Sequence, residues 1–288
     1  TPIYDGSCRV LGERAPEHFT YELFLDDKGQ KISKSSGNGI SIDEWLSYAS
    51  TESLSYFMYQ KPKTAKRLFF DVIPRAMDEY HQQLRAYEKQ DAVQRVNNPV
   101  YHIHRGQPPV SDMVVPFSML LNLASASSAE DKSQMWGFIG KYAPDASPET
   151  HPGLDAAAGY AVRYFNDFVK PTKVFRAPTD QERAALVDLA AALKSPEAAL
   201  AQIAAKNERE GVEGDLPAVD FHDEEFLQSI VFAVGKNHGF EPLRDWFKAI
   251  YEVLLGASQG PRFGGFIALY GVEESIDLIE QGLAGKLG

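Results

Sequence analysis

The sequence predicts a mainly α-helical fold with one short β-containing region near its start. Two observations support this prediction. Residues 19–25, FTYELFL, are aromatic-rich and apolar, which is typical of a strand. Beyond residue 39 the signals are nearly all helical, with apolar residues at helical spacing and recurrent N-cap residues. The chain has 288 residues, enough for one large domain or for two to three domains of about 100–200 residues each.

The elements predicted before residue 97 follow from local signals. The strand ends in DDKG at residues 26–29, a turn signature. Ser41 and Glu44 have the spacing of a capping box, so a helix is predicted to begin there. Apolar residues at positions 73, 77, 80, 84 and 87 share one face of a long helix. Pro74 fits the first turn of that helix, where an N–H has no intrahelical partner.

Residues 97–112, NNPVYHIHRGQPPVSD, form the best candidate for a domain boundary, since three prolines and a glycine lie among polar residues. Helices are predicted on the far side. Thr179 with Glu182 forms a second capping box, and Ser195 followed by Pro196 gives another helix start. The other predicted helices cover residues 116–126, 130–142, 154–169, 223–234, 242–255 and 272–283.

The composition predicts a cytoplasmic protein. Cys8, the single cysteine, cannot form an internal disulfide and is interpreted as a small apolar residue. No apolar run approaches the roughly 18 residues of a membrane helix, and the first residues lack the plan of a secretory signal. Residues 1–12 carry no helix cap and no strand alternation. We therefore expect them to be the interior of a longer polypeptide.

The charge distribution points to one local contact with a phosphate-bearing partner. The net charge of −11 argues against a protein coated in nucleic acid. Residues 28–95 nevertheless hold 11 basic and 8 acidic residues, whereas the segments on both sides are net acidic. A basic region in an acidic chain favours contact with phosphates there and repels them elsewhere.

Residues 29–46, GQKISKSSGNGISIDEWL, combine two lysines with serines, glycines and an asparagine. Ammonium groups are compact charges that can stabilise the negative charge developing on phosphates when pyrophosphate leaves. Serine and glycine allow backbone amides to approach phosphate closely. We therefore predict that this loop binds the phosphates of ATP. The residues that supply these groups are Lys31, Ser33, Lys34, Ser35, Gly37 and Asn38.

Two further features bear on the loop. The helix predicted to begin near Ile42 could add the positive partial charge of its N-terminus. No Gly-x-x-x-x-Gly-Lys-Ser/Thr motif occurs, which excludes Walker-type phosphate binding. A solvated surface loop is the alternative, because lysine and serine are common loop residues.

Residues 23–38, LFLDDKGQKISKSSGN, strongly resemble the Lys-Met-Ser-Lys-Ser signature of class I aminoacyl-tRNA synthetases, with Ile32 in place of methionine. Residues 36–80 look like class I lysyl-tRNA synthetases, and residues 260–271, GPRFGGFIALYG, are similar to the C-terminal end of that family. The family's His-x-Gly-His motif should precede the loop, but only His18 lies before Lys31. The resemblance therefore identifies the chain as a C-terminal portion.

The resemblance implies a fold and a domain order. Residues 1–40 would be the short β-containing tail of a class I nucleotide-binding, Rossmann-like domain, with the loop at its end. Residues 41–105 would be a helical region that contacts the tRNA stem. Residues 106–288 would be a helical anticodon-binding region resembling the family's helix cage.

The resemblance also implies a reaction. A complete lysine–tRNA ligase uses ATP and magnesium to attach lysine to lysine tRNA, and this portion would contribute Lys31 and Lys34 as catalytic groups. Ser33 and Ser35 would join them in binding ATP. Lysine and ATP would be held through the missing N-terminal part, so we expect this portion alone to be inactive. Neither DNA nor a membrane is an expected partner, and no metal site is expected in the chain.

Residues 60–70, QKPKTAKRLFF, place basic side chains beside aromatic residues. Such a cluster can position an RNA backbone without reading its sequence. Lys63 and Lys66 are the predicted phosphate contacts, and a solvated helix face is the alternative.

Arg262 is the predicted anticodon contact, because it lies in a Gly-Pro-Arg-Phe-Gly-Gly segment that we interpret as a loop. Aromatic residues near the end of the chain could stack on unpaired bases, although helical spacing favours a core position for most of them. They are Trp246, Tyr251, Phe263 and Tyr270.

Other interpretations of the sequence stay open. A glutamyl-tRNA synthetase has a similar loop and helical C-terminal half, and a non-catalytic helical RNA-binding or scaffold module could contain a lysine-rich loop. His102 and His104 would lie on one side of a strand, but no cysteine or acidic pair completes a metal site. Residues 221–226, FHDEEF, are interpreted as a helix start with acidic first-turn residues.

Overall fold

The structure is a computed structural model that describes residues 2–33 and 37–287. It divides the chain into two compact units, Thr1–Val110 and Ser111–Gly288. The predicted mainly α-helical fold is confirmed, because the one sheet found in the described residues has two strands of two residues each. Within those residues no helix is long and apolar enough to cross a membrane.

The first unit contains six helices and two short strands in its described part. The helices are α1 (Pro2–Val10), α2 (Ile42–Tyr48), α3 (Thr51–Tyr59), α4 (Ile73–Lys89), α5 (Ala92–Asn97) and α6 (Pro99–Ile103), and a 3-10 turn at Phe70–Val72 precedes α4. The strands β1 (Phe24–Leu25) and β2 (Lys66–Arg67) are parallel, with Phe24 opposite Lys66 and Leu25 opposite Arg67.

The strand predicted over residues 19–25 is mostly wrong, since only Phe24 and Leu25 adopt it. Phe19 and Tyr21 are 65% and 70% exposed instead of lying in a sheet. A strand forms where backbone groups find partners, and β2 offers a ladder of only two residues. Aromatic content alone therefore overestimated the length of the strand.

The core of the first unit confirms the helical signals around it. Ser41 and Glu44 form the predicted capping box at the start of α2. Trp45 of α2 is fully buried, and its indole N–H donates to the Ser53 hydroxyl at 3.2 Å. The predicted apolar face of α4 is buried at four of its five positions, 73, 77, 80 and 84, while position 87 is partly buried and packs against the same cluster. Pro74 lies in the first turn of α4, as predicted.

The strand expected at His102 and His104 is wrong, because this segment is helix α6 and its end. Asn98 caps α6 and Pro99 fits its first turn, a start signal that outweighs the alternation of histidines. The ring nitrogen Nε2 of His104 lies 2.9 Å from the Tyr80 hydroxyl. Among residues 2–33 and 37–287, no group of three or more His, Cys, Asp or Glu side chains could hold a metal ion.

In its described part, the second unit contains helices and connecting segments but no strand. Its helices are α7 (Phe117–Ser127), α8 (Lys132–Tyr142), α9 (Pro152–Tyr164), α10 (Asp180–Lys194), α11 (Pro196–Glu210), α12 (Glu224–Asn237), α13 (Arg244–Ile250), α14 (Phe263–Tyr270) and α15 (Val272–Leu283). π-Helical turns at Phe165–Val169 and Tyr251–Leu255 extend α9 and α13, and a 3-10 turn covers Lys170–Thr172.

Most helix starts in the second unit match their sequence signals. The Thr179–Glu182 capping box opens α10, and Ser195 caps α11. Asp223 caps α12 through the backbone N–H groups of residues 225 and 226, as the FHDEEF interpretation requires. The guanidinium of Arg176 then binds the carboxylate of Glu182 at 2.6 and 2.8 Å and that of Glu252 at 2.7 Å.

The segment interpreted as a loop around Arg262 is partly wrong, because α14 begins at Phe263. Its glycines pack closely against α12. A Cβ atom at position 264 would meet the backbone N–H nitrogen of Gln228 and would lie 2.6 Å from the carbonyl oxygen of Glu224. Glycine is therefore present here for close helix contact, not for loop flexibility.

We predict that Gly264→Ala lowers the free energy of unfolding of the chain by about 1–3 kcal/mol, because the new methyl group forces α12 and α14 apart. Gly137→Ala is the matched control. Gly137 is exposed in α8 with open space around it, so alanine there should stabilise the chain by up to about 1 kcal/mol. Urea unfolding measures both, and equal midpoints would contradict the close contact.

Candidate functional site

The lysine–serine loop covers residues 31–38. Its first arm, which begins at Lys31, is hydrogen-bonded to β1. Lys31 forms an isolated antiparallel bridge with Leu25. The amide of Ile32 donates to the carbonyl of Phe24 at 3.0 Å. The chain reverses direction before this arm at Gly29, whose φ of +75° lies in the region that favours glycine. The sequence thus brings the loop back along the strand that precedes it.

Asp26 organises the turn beneath the loop, a role that the sequence interpretation missed. Its carboxylate is 5% exposed, and Oδ1 accepts the backbone N–H groups of Gln30 at 2.7 Å and Lys28 at 3.0 Å. Its other oxygen, Oδ2, accepts from Nδ2 of Asn38 at 2.8 Å. An aspartate three residues before a turn glycine was the available signal in the sequence.

Asn38 joins the second arm of the loop to the first. Its Oδ1 accepts the backbone N–H of Ser33 at 3.1 Å, and its Nδ2 donates to the carbonyl of Lys31 at 3.2 Å as well as to Asp26. The sequence suggested that Asn38 supplies a donor to phosphate. In the structure, its amide is instead bonded within the loop.

The packing of Ile32 against Gly39 adds an apolar contact between the two arms. A Cβ atom at position 39 would collide with Cγ2 of Ile32, so only glycine fits this approach without a shift. Ile32 is half-buried. Its side chain therefore packs under the loop, as expected for the position where relatives with the signature have methionine.

Of the two predicted catalytic lysines, Lys31 is among the described residues. The side chain of Lys31 is exposed, and its ammonium group has no hydrogen bond or ion pair to any of the described residues. Lys34 and Ser35 lie outside the described residues. Ser33 is half-buried, with its amide bound to Asn38. In the described part of the loop, the ammonium of Lys31 is therefore exposed, while the backbone around it is hydrogen-bonded to Asn38.

The N-terminus of α2 offers less positive potential than the sequence suggested. The Ser41 hydroxyl accepts the amide of Glu44 at 3.2 Å, and the Glu44 carboxylate accepts the amide of Ser41 at 2.7 Å. This backbone hydrogen bond lowers the pKa of Glu44. An ionised carboxylate already stands at the helix end, so it offsets the partial charge that would attract phosphate.

The basic cluster of residues 60–70 divides into free and engaged lysines. Lys63 is exposed. Lys66 instead donates from its ammonium group to the carbonyl of Phe57 at 2.6 Å, at the end of α3. Burial lowers the pKa of Lys66. Lys66 therefore satisfies a helix C-terminus in this structure, whereas Lys63 has its charge in solvent.

Arg262 precedes α14 and pairs with the Glu225 carboxylate through two hydrogen bonds of 2.7 and 2.9 Å. The arginine lowers the pKa of Glu225. The side chain of Arg262 is 61% exposed. The aromatic candidates are less accessible: Trp246, Tyr251 and Phe263 are buried in the core, and the ring of Tyr270 stacks on Phe138. The core interpretation of the first three is thus the one that the structure supports.

Comparison with known proteins defines the class. Residues 3–107, which carry the loop and the basic cluster, match the family described as tRNA synthetases class I (K). The predicted resemblance to the class I tRNA synthetases is thereby confirmed.

Similarity to particular proteins extends over the whole chain. A lysine–tRNA ligase of Roseobacter denitrificans is 67% identical over 287 residues, which are 100% of this chain and 50% of the relative. Lysine–tRNA ligases of Rickettsia bellii and Rickettsia conorii are 46% and 45% identical over 98% and 96% of this chain. The chain spans about half the length of the curated relatives it matches. This share is consistent with the predicted C-terminal portion.

We predict that Asn38→Ala raises the pKa of Asp26. The hydrogen bond from Asn38 is the largest cause that lowers this pKa below its ordinary value, ahead of the amide of Gln30. Ionised Asp26 holds the network near neutral pH, and the network is lost as pH falls through the lowered pKa. A pH titration of the carboxyl ¹³C resonance by NMR measures the change.

Asp131 is the internal control for this titration. Its pKa is lowered by the Ser133 hydroxyl and the Gln134 amide in the second unit, so it should not respond to Asn38→Ala. An unchanged Asp26 titration in the variant would show that the amide of Asn38 does not bind the carboxylate in solution.

Proposed function

We propose that this chain is the C-terminal portion of a class I lysine–tRNA ligase. In the complete enzyme, lysine and ATP would give lysyl-adenylate and pyrophosphate. The lysyl group would then pass to the 2′-hydroxyl of the terminal adenosine of lysine tRNA. The observation that carries this proposal is the exposed ammonium of Lys31, which forms no hydrogen bond or ion pair with the described residues. The chain that contains it is 67% identical over its length to a lysine–tRNA ligase.

Lys31 and Lys34 would stabilise the triphosphate as the bond between its α- and β-phosphates breaks. Negative charge then grows on the departing pyrophosphate, and two ammonium groups oppose it without forming a covalent intermediate. Backbone and hydroxyl groups of Ser33 and Ser35 would add donors. Solvent exposure of Lys31 supports this role, because a ligand can reach the ammonium without displacing any of the described residues.

Magnesium, which the family implies, finds no set of ligands among the described residues. The described residues include no group of carboxylates or histidines that could hold a metal ion, and Asp26 in the loop already accepts three hydrogen bonds. Magnesium would therefore enter with the phosphates of ATP. We assign it no step here.

We further propose the domain roles implied by the family. Residues 1–40 would end a Rossmann-like nucleotide-binding domain, with β1 inside it. Residues 41–105 would contact the tRNA stem, and residues 106–288 would form a helix cage that binds the anticodon. The single cysteine supports a cytoplasmic location.

For tRNA, we propose Lys63 and Lys66 as phosphate contacts and Arg262 as the base contact. Lys63 can bind a phosphate directly. Lys66 would first have to leave the carbonyl of Phe57, and Arg262 would have to exchange Glu225 for a base. Solvent screens the exposed Arg262–Glu225 pair and leaves it weak, so exchange is feasible.

We expect Lys34→Ala and Lys31→Ala in the complete enzyme each to slow lysine-dependent pyrophosphate exchange by about 100-fold, because each removes one donor to the developing charge. Affinity for lysine tRNA in a gel shift should change little. Lys89→Ala is the control, since this lysine is exposed at the end of α4. Exchange at the parental rate in both loop variants would refute the assigned role.

The same assay separates the amino-acid alternatives. With the complete enzyme, lysine should support pyrophosphate exchange and charging of lysine tRNA, and glutamate should support neither. Activity with glutamate alone would favour a glutamyl-tRNA synthetase. Absence of exchange with every amino acid would favour the non-catalytic RNA-binding module.

We predict that Lys63→Ala and Arg262→Ala weaken tRNA binding in different ways. Lys63→Ala should lower affinity for lysine tRNA and for an anticodon-swapped tRNA equally, and should reduce the salt dependence of binding by about one counterion. Arg262→Ala should lower affinity about tenfold for the lysine anticodon and leave the swapped tRNA unchanged. Gel shifts at several salt concentrations test both, and equal losses on both tRNAs for Arg262→Ala would contradict base recognition.

A further inference from the structure

The second arm of the lysine–serine loop is tied to the turn after β1 through a side-chain contact. Lys31 and Ile32 reach β1 through backbone contacts. In the described part of the returning arm, Asn38 donates to the turn residue Asp26 across 12 positions, and the backbone N–H of Gly37 donates to the carbonyl of Ser33 at 3.2 Å. We propose that Asp26 and Asn38 are positioning residues that hold Lys31 at the angle needed to meet the departing pyrophosphate. This role rests on the proposed function.

Hydrogen-bond chemistry fixes the orientation of the Asn38 amide. An ionised carboxylate can only accept, so Asp26 selects the Nδ2 side of the amide. The Oδ1 side must then face the opposite way, where it accepts the amide of Ser33. The same Nδ2 group binds the carbonyl of Lys31. One oriented side chain thereby holds the backbone on both sides of Ile32, next to the Cα of Lys31.

The turn does not need Asn38. Within the turn, Asp26 Oδ1 accepts the backbone N–H groups of Lys28 and Gln30, and the backbone N–H of Asp26 donates to the carbonyl of Gln30. The contact with Asn38 uses the remaining oxygen. Loss of Asn38 should therefore leave the turn folded while it releases the loop. A released loop beside a folded turn would therefore distinguish the positioning role from a general loss of structure.

The consequence for the reaction follows from geometry. A misplacement of about 1 Å in a catalytic group can lower a rate by roughly 100-fold. Asn38→Ala in the complete enzyme should therefore lower kcat for lysine-dependent pyrophosphate exchange by about 10–100-fold. The KM for lysine should stay within a factor of about two, because the affected group acts on the transition state.

A reciprocal exchange of the two side chains tests the contact itself. Asp26→Asn and Asn38→Asp should each lower kcat. The first variant places two amide groups opposite each other, and the second places two carboxylates opposite each other. The double variant D26N/N38D restores a donor opposite an acceptor, and its asparagine oxygen still accepts the turn amides. Recovery should be partial, because a carboxylate at position 38 cannot donate to the carbonyl of Lys31 as Nδ2 of Asn38 does. The kcat of the double variant should recover at least about fivefold over either single variant, which is the coupling expected of a direct pair. Asp27→Asn is the control, since Asp27 is exposed in the same turn.

Hydrogen exchange in the ligand-free complete enzyme separates this role from the proposed reaction. The peptide covering residues 30–40 should exchange faster in Asn38→Ala and return toward the parental rate in the double variant. Faster exchange with an unchanged kcat would overturn the positioning role and leave the proposed function intact. No recovery in the double variant would also overturn it. A parental enzyme without lysine-dependent pyrophosphate exchange would overturn both proposals.

Discussion

The arrangement of the candidate site depends on the buried carboxylate of Asp26. It is an acceptor with two oxygens, and each oxygen serves a different part of the chain: one receives the amides of the turn, and the other receives Asn38. A buried charge is tolerated only when it is hydrogen-bonded in this way. The loop can therefore be exposed to a ligand and still start and end at defined points. The exposed side chain of Lys31 needs no bond to the other described residues for its backbone to be held.

The basic region shows why a count of charges cannot identify a binding residue. Lys31, Lys63 and Lys66 are equivalent in the sequence, yet the ammonium of Lys66 is hydrogen-bonded at the end of α3 and the other two side chains are exposed. Burial of the Lys66 ammonium also lowers its pKa. An engaged lysine has to break a hydrogen bond before it binds phosphate. Spatial context therefore ranks these residues in a way that net charge does not.

Local signals predicted the fold well where one segment alone determines its structure. The capping boxes at Ser41 and Thr179 and the apolar face of α4 are examples. Prediction was wrong where a partner decides the outcome. The strand needed a longer ladder than β2 provides, and α14 depends on its glycines meeting α12. α1, which buries no residue, was missed.

The candidate site divides along the same line, and so does the RNA recognition proposed for the second unit. Sequence predicted which residues could bind ATP, but not that Asn38 is used within the loop. It also offered aromatic rings to unpaired bases, yet Trp246 and Phe263 are core residues. A base contact must then rely on a side chain at the surface, and Arg262 is held extended by Glu225. Because that exposed pair is weak and already neutralises the arginine, phosphates gain little there, whereas a base that replaces both hydrogen bonds can compete.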